Sequence, residues 1–304
     1  MEPFRVHILG CGSATPTLKH EPSAQIVEVR GKMFLVDCAE GTQTRLRHAH
    51  VHFSAINHIF ITHLHGDHCL GLFGLLSTFG LLGRTAPMYI YATGELRAAL
   101  DVFMSVFCSN LGYEVIFKPI DTTVSAVIYE DRSLTVTTLP LEHRVPCCGF
   151  LFREKPTLPH VRREIFDMYG VPLSQVNNIK AGADFVTADG EVIPNSRLTT
   201  PPAAPRSYAY CSDTRYMPDL HHLIHGVSTL YHESTYGTDK QQNADTYGHS
   251  TARDAAMVAR DAQAGKLVLG HFSARYEDET VLLDEAQAIF PNTILADEGM
   301  VIDV

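Results

Sequence analysis

The chain has 304 residues, of which 45% are hydrophobic and 19% are charged, and its formal net charge at pH 7 is −10. This length and this balance exclude a disordered chain, because the apolar residues suffice to build a full core. The acidic charge argues against a protein that coats nucleic acid regardless of sequence, since that mode of binding depends on Lys and Arg, but it does not exclude a nucleic-acid enzyme.

Membrane and disulfide signals are weak along the whole chain. No apolar run reaches the roughly 18 residues of a membrane span, and the N-terminus enters a strand pattern without a basic and apolar leader. We therefore expect a cytoplasmic protein with no membrane partner. The seven cysteines include no CxxC pair, which favours buried reduced thiols and argues against a cysteine-based zinc site.

Short strand patterns alternate with helix patterns, which is typical of an α/β protein. The predicted strands are residues 5–10, 24–29, 33–37, 58–62, 88–92, 114–118, 126–129, 134–139, 147–152, 207–213, 228–233 and 266–271, with a closing pair in 293–304. The predicted helices are residues 42–49, 69–83, 95–108, 250–264 and 278–289. The strand at 58–62 is apolar on both faces, as a central strand is.

Residues 153–206 interrupt this alternation. They contain seven prolines and one short predicted helix at 161–169. Such an interval between strands indicates an insertion that leaves the main body, and a disordered surface insertion is the alternative.

The strongest chemical signal is the segment His63-Leu64-His65-Gly66-Asp67-His68, which directly follows the strand at 58–62. Four potential ligands lie within six residues, and a turn here can direct two histidines to one side and the Asp-His pair to the other. Gly66 allows a tight turn because it has no Cβ. Imidazoles and carboxylates suit zinc, and a two-metal site activates water and binds phosphoryl oxygens. A surface cluster of histidines is the structural alternative.

This HxHxDH motif after a strand is similar to the signature of the metallo-β-lactamase superfamily. Four further segments resemble motifs of that superfamily and occur in the same order along the chain. They contain Asp37 in VDCAEGTQ, His143 in LEHRVPCCGFLF, Asp213 in YCSDTR and His271 in LGHFSARY. The resemblance implies a single α/β domain over residues 1–304 with the αββα sandwich fold, in which two packed mixed β-sheets are flanked by helices. Residues 153–206 would be an arm-like insertion within it.

The same resemblance implies two Zn²⁺ ions per subunit, and the ligand set also admits Mn²⁺ or Fe²⁺. One ion would be bound by His63, His65 and His143. The other would be bound by Asp67, His68 and His271. Asp213 would bridge the two ions, and Asp37 would orient the histidine loop. Asp67 would also accept or orient the proton of the metal-activated water that attacks a phosphodiester.

Two later motifs narrow the resemblance to the tRNase Z (ribonuclease Z) family. Residues 231–236, YHESTY, resemble its HEAT-type motif, and residues 248–251, GHST, resemble its downstream motif. The resemblance implies that Glu233 holds His249, which protonates the leaving 3′ oxygen or stabilises the cleaved phosphate. Arg275 in the SARY run would meet a phosphate. The implied function is removal of the 3′ trailer from precursor tRNA, leaving a tRNA 3′-hydroxyl.

Bacterial tRNase Z enzymes carry a protruding arm at the place of residues 153–206. By this resemblance, Arg153, Lys155, Arg162 and Arg163 would contact tRNA phosphates, and a homodimer would place one arm beside the partner's active site. Two segments depart from the family pattern. Residues 16–21 read PTLKHE where the family has PxKxRN, a loop linked with sensing the CCA end, and the arm has no clear Gly-Pro motif.

The sequence also admits other functions. The same fold hosts small-substrate phosphodiesterases, arylsulfatase-like enzymes, and thioester or lactam hydrolases, which the fold alone does not separate. The alternative function is therefore another binuclear phosphodiesterase or small-substrate hydrolase of this fold. A non-enzymatic RNA-binding role is disfavoured because the full ligand set is present.

Overall fold

The computed structural model describes residues 2–108 and 110–304. Over these residues the chain divides into two compact units. The first unit comprises the residues up to 153 together with 206–304, and the second comprises residues 154–205.

The strands and helices are numbered in chain order. The strands are β1 (Phe4–Gly10), β2 (Ala24–Val29), β3 (Lys32–Val36), β4 (Ile56–Phe60), β5 (Met88–Ala92), β6 (Val115–Pro119), β7 (Val127–Glu130), β8 (Leu134–Leu141), β9 (Cys147–Glu154), β10 (His160–Val161), β11 (Phe185–Val186), β12 (Val192–Ile193), β13 (Thr199–Thr200), β14 (Ser207–Cys211), β15 (Thr229–Glu233), β16 (Lys266–Gly270), β17 (Thr293–Leu295) and β18 (Val301–Asp303). The helices are α1 (Thr42–His48), α2 (Gly66–Cys69), α3 (Gly71–Leu81), α4 (Leu96–Phe107), α5 (Arg163–Tyr169), α6 (Val176–Lys180), α7 (Asn195–Leu198), α8 (Leu220–Leu223), α9 (Gln241–Tyr247), α10 (Ala252–Asp261) and α11 (Thr280–Gln287).

Two mixed sheets form the centre of the first unit. Within the described residues, one sheet has seven strands in the order β18-β1-β2-β3-β4-β5-β6. The other has seven in the order β17-β16-β15-β14-β9-β8-β7. Strands β3 to β6 run parallel to one another in the first sheet, and β14 to β17 do so in the second.

The two sheets pack face to face through aromatic side chains. Phe34 and Phe60 of the first sheet contact Phe152 of the second, with ring centroids 5.8 Å apart in both pairs. Helices cover the outer faces. The apolar sides of α3 and α4 pack on the first sheet, and α10 packs on β15 and β16 of the second. The architecture is the predicted sandwich of two sheets between helical layers.

The second unit has its own small core, formed by Phe166, Val171, Ile179, Ile193 and Leu198. Its strands are only two residues long and pair as β10 with β13 and β11 with β12. The segment that the sequence marked as an insertion therefore has a packed interior of its own. The predicted helix at 161–169 corresponds to α5, and its other elements were not predicted.

The predicted helix at 69–83 needs a correction. It is divided into α2 and α3, which meet at Leu70. A side chain at Gly71 would collide with the carbonyl oxygen of Ala39, so the chain approaches the preceding loop closely at this point. As a consequence, Asp67 and His68 belong to a short helix of their own.

All seven cysteines are free and buried, as the sequence predicted. Among the described residues, no helix is both long and apolar enough to cross a membrane.

Candidate metal centre

The predicted ligands converge on one edge of the sandwich because most of them directly follow strands. His63 lies three residues after β4, Asp213 two residues after β14, and His271 immediately after β16. The carboxyl ends of neighbouring parallel strands meet at one edge of a sheet, so their loops are brought together there.

The first group of donors contains three imidazoles and one carboxylate oxygen. The Nδ1 atom of His65 lies 3.1 Å from Nε2 of His63 and 3.3 Å from Nε2 of His143. The Oδ2 atom of Asp213 lies 3.7 Å from each of those two Nε2 atoms. These four side chains can therefore surround one ion.

A second group faces the other oxygen of Asp213. The Nε2 atoms of His68 and His271 are 3.4 Å apart. They lie 3.3 and 3.1 Å from Oδ1 of Asp213, and 3.7 and 3.6 Å from Oδ2 of Asp67. One oxygen of Asp213 thus faces each group, which is the arrangement of a bridging carboxylate.

The ring nitrogens that point away from the centre are held by hydrogen bonds. His68 donates to Oδ2 of Asp37 over 2.8 Å, and His143 donates to the carbonyl oxygen of Gly248 over 2.8 Å. His63 donates to Oγ1 of Thr62, and the Thr62 hydroxyl donates to Asp37 in turn. These contacts fix the tautomers so that the inner nitrogens carry lone pairs, as metal-binding histidines require.

Three residues around the centre adopt left-handed backbone conformations that are uncommon outside glycine. The φ angles are 55° at Asp37, 58° at His271 and 60° at Ala14. Such conformations cost about 1–2 kcal/mol each. At Ala14 the turn aims the backbone N–H at Oδ2 of Asp67, 2.7 Å away, so the strained loop orients this carboxylate.

The pKa values of three histidines and of Asp213 are shifted towards the forms that bind a metal. Burial lowers the pKa of the His63 imidazole well below its usual value, and it also lowers the pKa of His65 and of His143. Burial opposes ionisation of Asp213, yet the neighbouring His271, His68 and His63 hold the pKa of its carboxyl well below its usual range. His68 differs from the other imidazoles: burial opposes its charged form, but Asp213 and Asp37 raise its pKa well above the usual value. A bound cation would displace that proton, because a metal-binding imidazole must be neutral.

The donor chemistry fits a pair of divalent metal ions. Imidazole nitrogens 3.1 to 3.4 Å apart cannot all be paired by hydrogen bonds when their lone pairs face one another. A cation between them removes that repulsion, and buried nitrogen and carboxylate donors are those preferred by zinc and similar ions.

A Glu-His pair lies beside the centre. The Nδ1 atom of His249 lies 2.8 Å from Oε1 of Glu233, which is fully buried. Glu233 also accepts hydrogen bonds from the backbone N–H groups of Thr214 and Thr235 and from the Thr235 hydroxyl. Burial alone would lower the pKa of His249, but the Glu233 carboxylate outweighs it and raises that pKa to about 9.

A cavity of about 350 Å³ opens onto these groups. Asp67, Asp213 and His249 line it together with Arg275, so the structure places the predicted phosphate-binding arginine at the centre. Arg144 lines the cavity as well, with its guanidinium 5.6 Å from the ring centroid of Tyr247.

The remaining predicted substrate contacts lie elsewhere in the chain. Arg153 is exposed where β9 leaves the first unit. Lys155, Arg162 and Arg163 belong to the second unit, where the two arginines are exposed.

Several contributors to the centre were missed by sequence reasoning, among them Thr62, which links His63 to Asp37. The Tyr210 hydroxyl donates to Asp37 over 3.0 Å, and the Thr235 hydroxyl accepts from Nδ1 of His271 over 2.9 Å. Thr235 could have been found from its place in the 231–236 motif. Tyr210 lies on a uniformly buried strand and gives no such signal, and the Ala14 contact uses only backbone.

The chain is similar to proteins of known name and structure over its whole length. The chain is 53% identical to "Ribonuclease Z" of Bacteroides fragilis over 304 residues, covering all of both chains. The crystal structure of human tRNase Z, short form, superimposes with a TM-score of 0.71 at 26% identity, covering 98% of each chain. The metallo-β-lactamase fold protein YhfI from Bacillus subtilis gives a TM-score of 0.69 at 18% identity, covering 99% of this chain and 100% of that one. Residues 4–155, half of the chain, match the family described as Anti-Pycsar protein Apyc1, and to that extent the chain belongs to that family.

The two-sheet sandwich is the metallo-β-lactamase fold, as predicted, and its converging His and Asp side chains could hold metal ions. The chain belongs to the ribonuclease Z family, whose members are endoribonucleases, a kind of hydrolase. The predicted family and enzyme class are thereby confirmed, and the non-enzymatic alternative is excluded.

Proposed function

We propose that this chain removes the 3′ trailer from precursor tRNA with two zinc ions held at the centre. The observation that carries the proposal is Asp213, whose two carboxylate oxygens each face a separate group of donors. The first ion would be held by His63, His65 and His143. The second would be held by Asp67, His68 and His271. Manganese or iron would be accepted by the same donors.

When bound, two such ions lower the pKa of a water molecule and offset the negative charge that grows on a phosphate during hydrolysis. Asp67 would accept or orient the proton of such a water, and the Ala14 N–H keeps its carboxylate in position. His249 lies within the same cavity with its Nδ1 atom on Glu233, so its Nε2 atom is the proton donor for the leaving 3′ oxygen. Loss of the trailer then leaves a 3′-hydroxyl on the tRNA.

Precursor tRNA is favoured as substrate by the full-length relatives named ribonuclease Z and by the arginines available for phosphate. Arg275 contacts a phosphate near the cut. Arg153, Lys155, Arg162 and Arg163 bind the tRNA backbone from the arm formed by residues 153–206. Such contacts position a nucleic acid without reading its sequence.

We further propose that the enzyme acts in the cytoplasm as a homodimer. The exposed side of α4 supports the dimer, because Val102, Val106 and Phe107 are 65%, 63% and 71% exposed. Contiguous exposed apolar residues of this kind mark association surfaces. Sedimentation is expected to give a dimer for the parent chain and a monomer for Val106→Glu, whereas Arg97→Glu on the same helix leaves the dimer intact.

The substrate is tested by incubating the zinc-loaded enzyme with a precursor tRNA that carries a 3′ trailer, beside a small chromogenic phosphodiester. We expect a single cut at the trailer junction, with the mapped product ending in a 3′-hydroxyl. Hydrolysis of the small diester without cleavage of the precursor would favour the alternative, a small-substrate phosphodiesterase of the same fold. The position of the cut relative to CCA is read from the same mapped end.

A further inference from the structure

A second cluster of metal-binding side chains lies apart from the centre described above. Cys11 directly follows β1, His20 lies in the loop before β2, and Glu298 lies in the turn between β17 and β18. All three side chains are buried, and Cys11 is wholly inaccessible. Their donor atoms lie within 4.8 Å of one another.

The donor atoms stand at distances close to those around a single ion. The Sγ atom of Cys11 lies 3.3 Å from Nδ1 of His20 and 3.6 Å from Oε1 of Glu298. The Nδ1 atom of His20 lies 2.8 Å from Oε2 of Glu298. Zinc takes thiolate, imidazole and carboxylate donors at about 2.0–2.3 Å, which separates neighbouring donors by roughly 3–3.7 Å.

The surroundings hold these donors as a metal site requires. The backbone N–H groups of Cys11 and Glu21 donate to Oε1 of Glu298 and fix its carboxylate. On the far side of the His20 ring, Oε1 of Glu279 lies 3.3 Å from Nε2, which is buried and has no well-aligned hydrogen bond. A carboxylate at the outer nitrogen is the usual companion of a metal-binding histidine.

Carboxylates also act on the Cys11 thiol, and one of them, Glu279, is paired with the Lys19 ammonium. Burial raises the pKa of the Cys11 thiol well above its usual value, and the negative charges of Glu298, Asp297 and Glu279 raise it further. A divalent cation would reverse this effect, since a coordinating thiol loses its proton. With thiolate and carboxylate as ligands, the net charge of the occupied site would be zero.

We propose that Cys11, His20 and Glu298 supply three ligands of a zinc ion that is distinct from the catalytic pair. The ion joins the start of the chain to the turn before β18. It also fastens the loop that carries Ala14, whose N–H holds Asp67. The absence of CxxC pairs gave no hint of it, because its ligands are brought together from positions 287 residues apart.

Cobalt provides a specific test because the seven candidate ligands of the catalytic centre include no sulfur. Protein is produced in zinc-depleted medium with Co²⁺, and its near-ultraviolet spectrum is recorded for a thiolate-to-cobalt charge-transfer band. We expect the band in the parent chain and in Cys108→Ser, a buried control cysteine, and its loss in Cys11→Ser. Absence of the band from the parent chain, or its persistence in Cys11→Ser, would overturn the proposal.

Metal content of the zinc-loaded protein gives an independent readout. Cys11→Ser and Glu298→Gln are each expected to contain one ion fewer per chain than the parent and than Cys108→Ser, by elemental analysis. Glu298→Gln keeps the thiol and the shape of the site, so its metal content still tests the proposal if Cys11→Ser does not fold. Equal metal content in all four proteins would show that the cluster is only a hydrogen-bonded Cys-His-Glu network.

Discussion

The strand-end edge of the first unit and the second unit, residues 154–205, are built on opposite principles. At the edge, His63 and His68 are fully buried, and hydrogen bonds fix their outer nitrogens. In the second unit the strands are two residues long and Arg162 and Arg163 are exposed. Chemistry that depends on tenths of an ångström requires the first kind of support, whereas contacts to a phosphate backbone tolerate the second. Changes at the edge should therefore abolish turnover, and changes in the second unit should weaken substrate binding.

The largest loss of activity is expected when a predicted metal ligand is removed. Asp67→Ala and His65→Ala each remove one donor from one group, and we expect each to lower kcat by at least about 10³-fold because metal-assisted hydrolysis is lost. Circular dichroism should show a folded chain, since both side chains lie at the rim of the core. Turnover at the parental rate by either variant would refute the assignment of the ligands.

A smaller loss is expected when the proton donor is removed. His249→Ala should lower kcat by about 10²–10³-fold while the metal content stays at the parental value, because general acid catalysis is worth that much. Elemental analysis together with steady-state kinetics distinguishes a histidine that donates a proton from one that binds the metal. Loss of metal from this variant would identify His249 as a ligand.

The Glu233 carboxylate should be visible in the pH profile. It raises the pKa of His249 to about 9, so the imidazole keeps its proton below that pH and loses it above. In Glu233→Gln the neutral amide no longer stabilises the imidazolium, and the alkaline limb of kcat should move to lower pH, with about a tenfold loss at neutral pH. An unshifted alkaline limb would mean that His249 does not set it.

The smallest loss of activity is expected when exposed arginines of the second unit are replaced. Arg162→Ala combined with Arg163→Ala should raise KM for precursor tRNA by about fivefold and leave kcat unchanged, because exposed phosphate contacts are individually weak. Lys180→Ala in the same unit is the matched control. Equal losses on precursor tRNA and on a small diester would place these arginines in the chemistry and break the contrast between the two regions.

The two regions also differ in how far the sequence foretold them. The segment His63–His68 is local, and the strand that precedes it has a clear apolar pattern, so the edge could be anticipated along with the sandwich fold. The second unit offered no such periodicity, because its strands are too short to show alternation and its prolines suggest only loops. Contacts made by backbone, such as that of Ala14, or across nearly the whole chain, such as Cys11 with Glu298, leave no sequence pattern at all.

Anomalous diffraction from crystals of the zinc-loaded enzyme, recorded at the zinc edge, tests the two-ion centre most directly. The arrangement of donors predicts two peaks on either side of Asp213, one beside His63, His65 and His143 and one beside Asp67, His68 and His271. A single peak at this centre, or two peaks there that Asp213 does not contact, would contradict it, whereas a further peak beside Cys11, His20 and Glu298 would belong to the separate site proposed above.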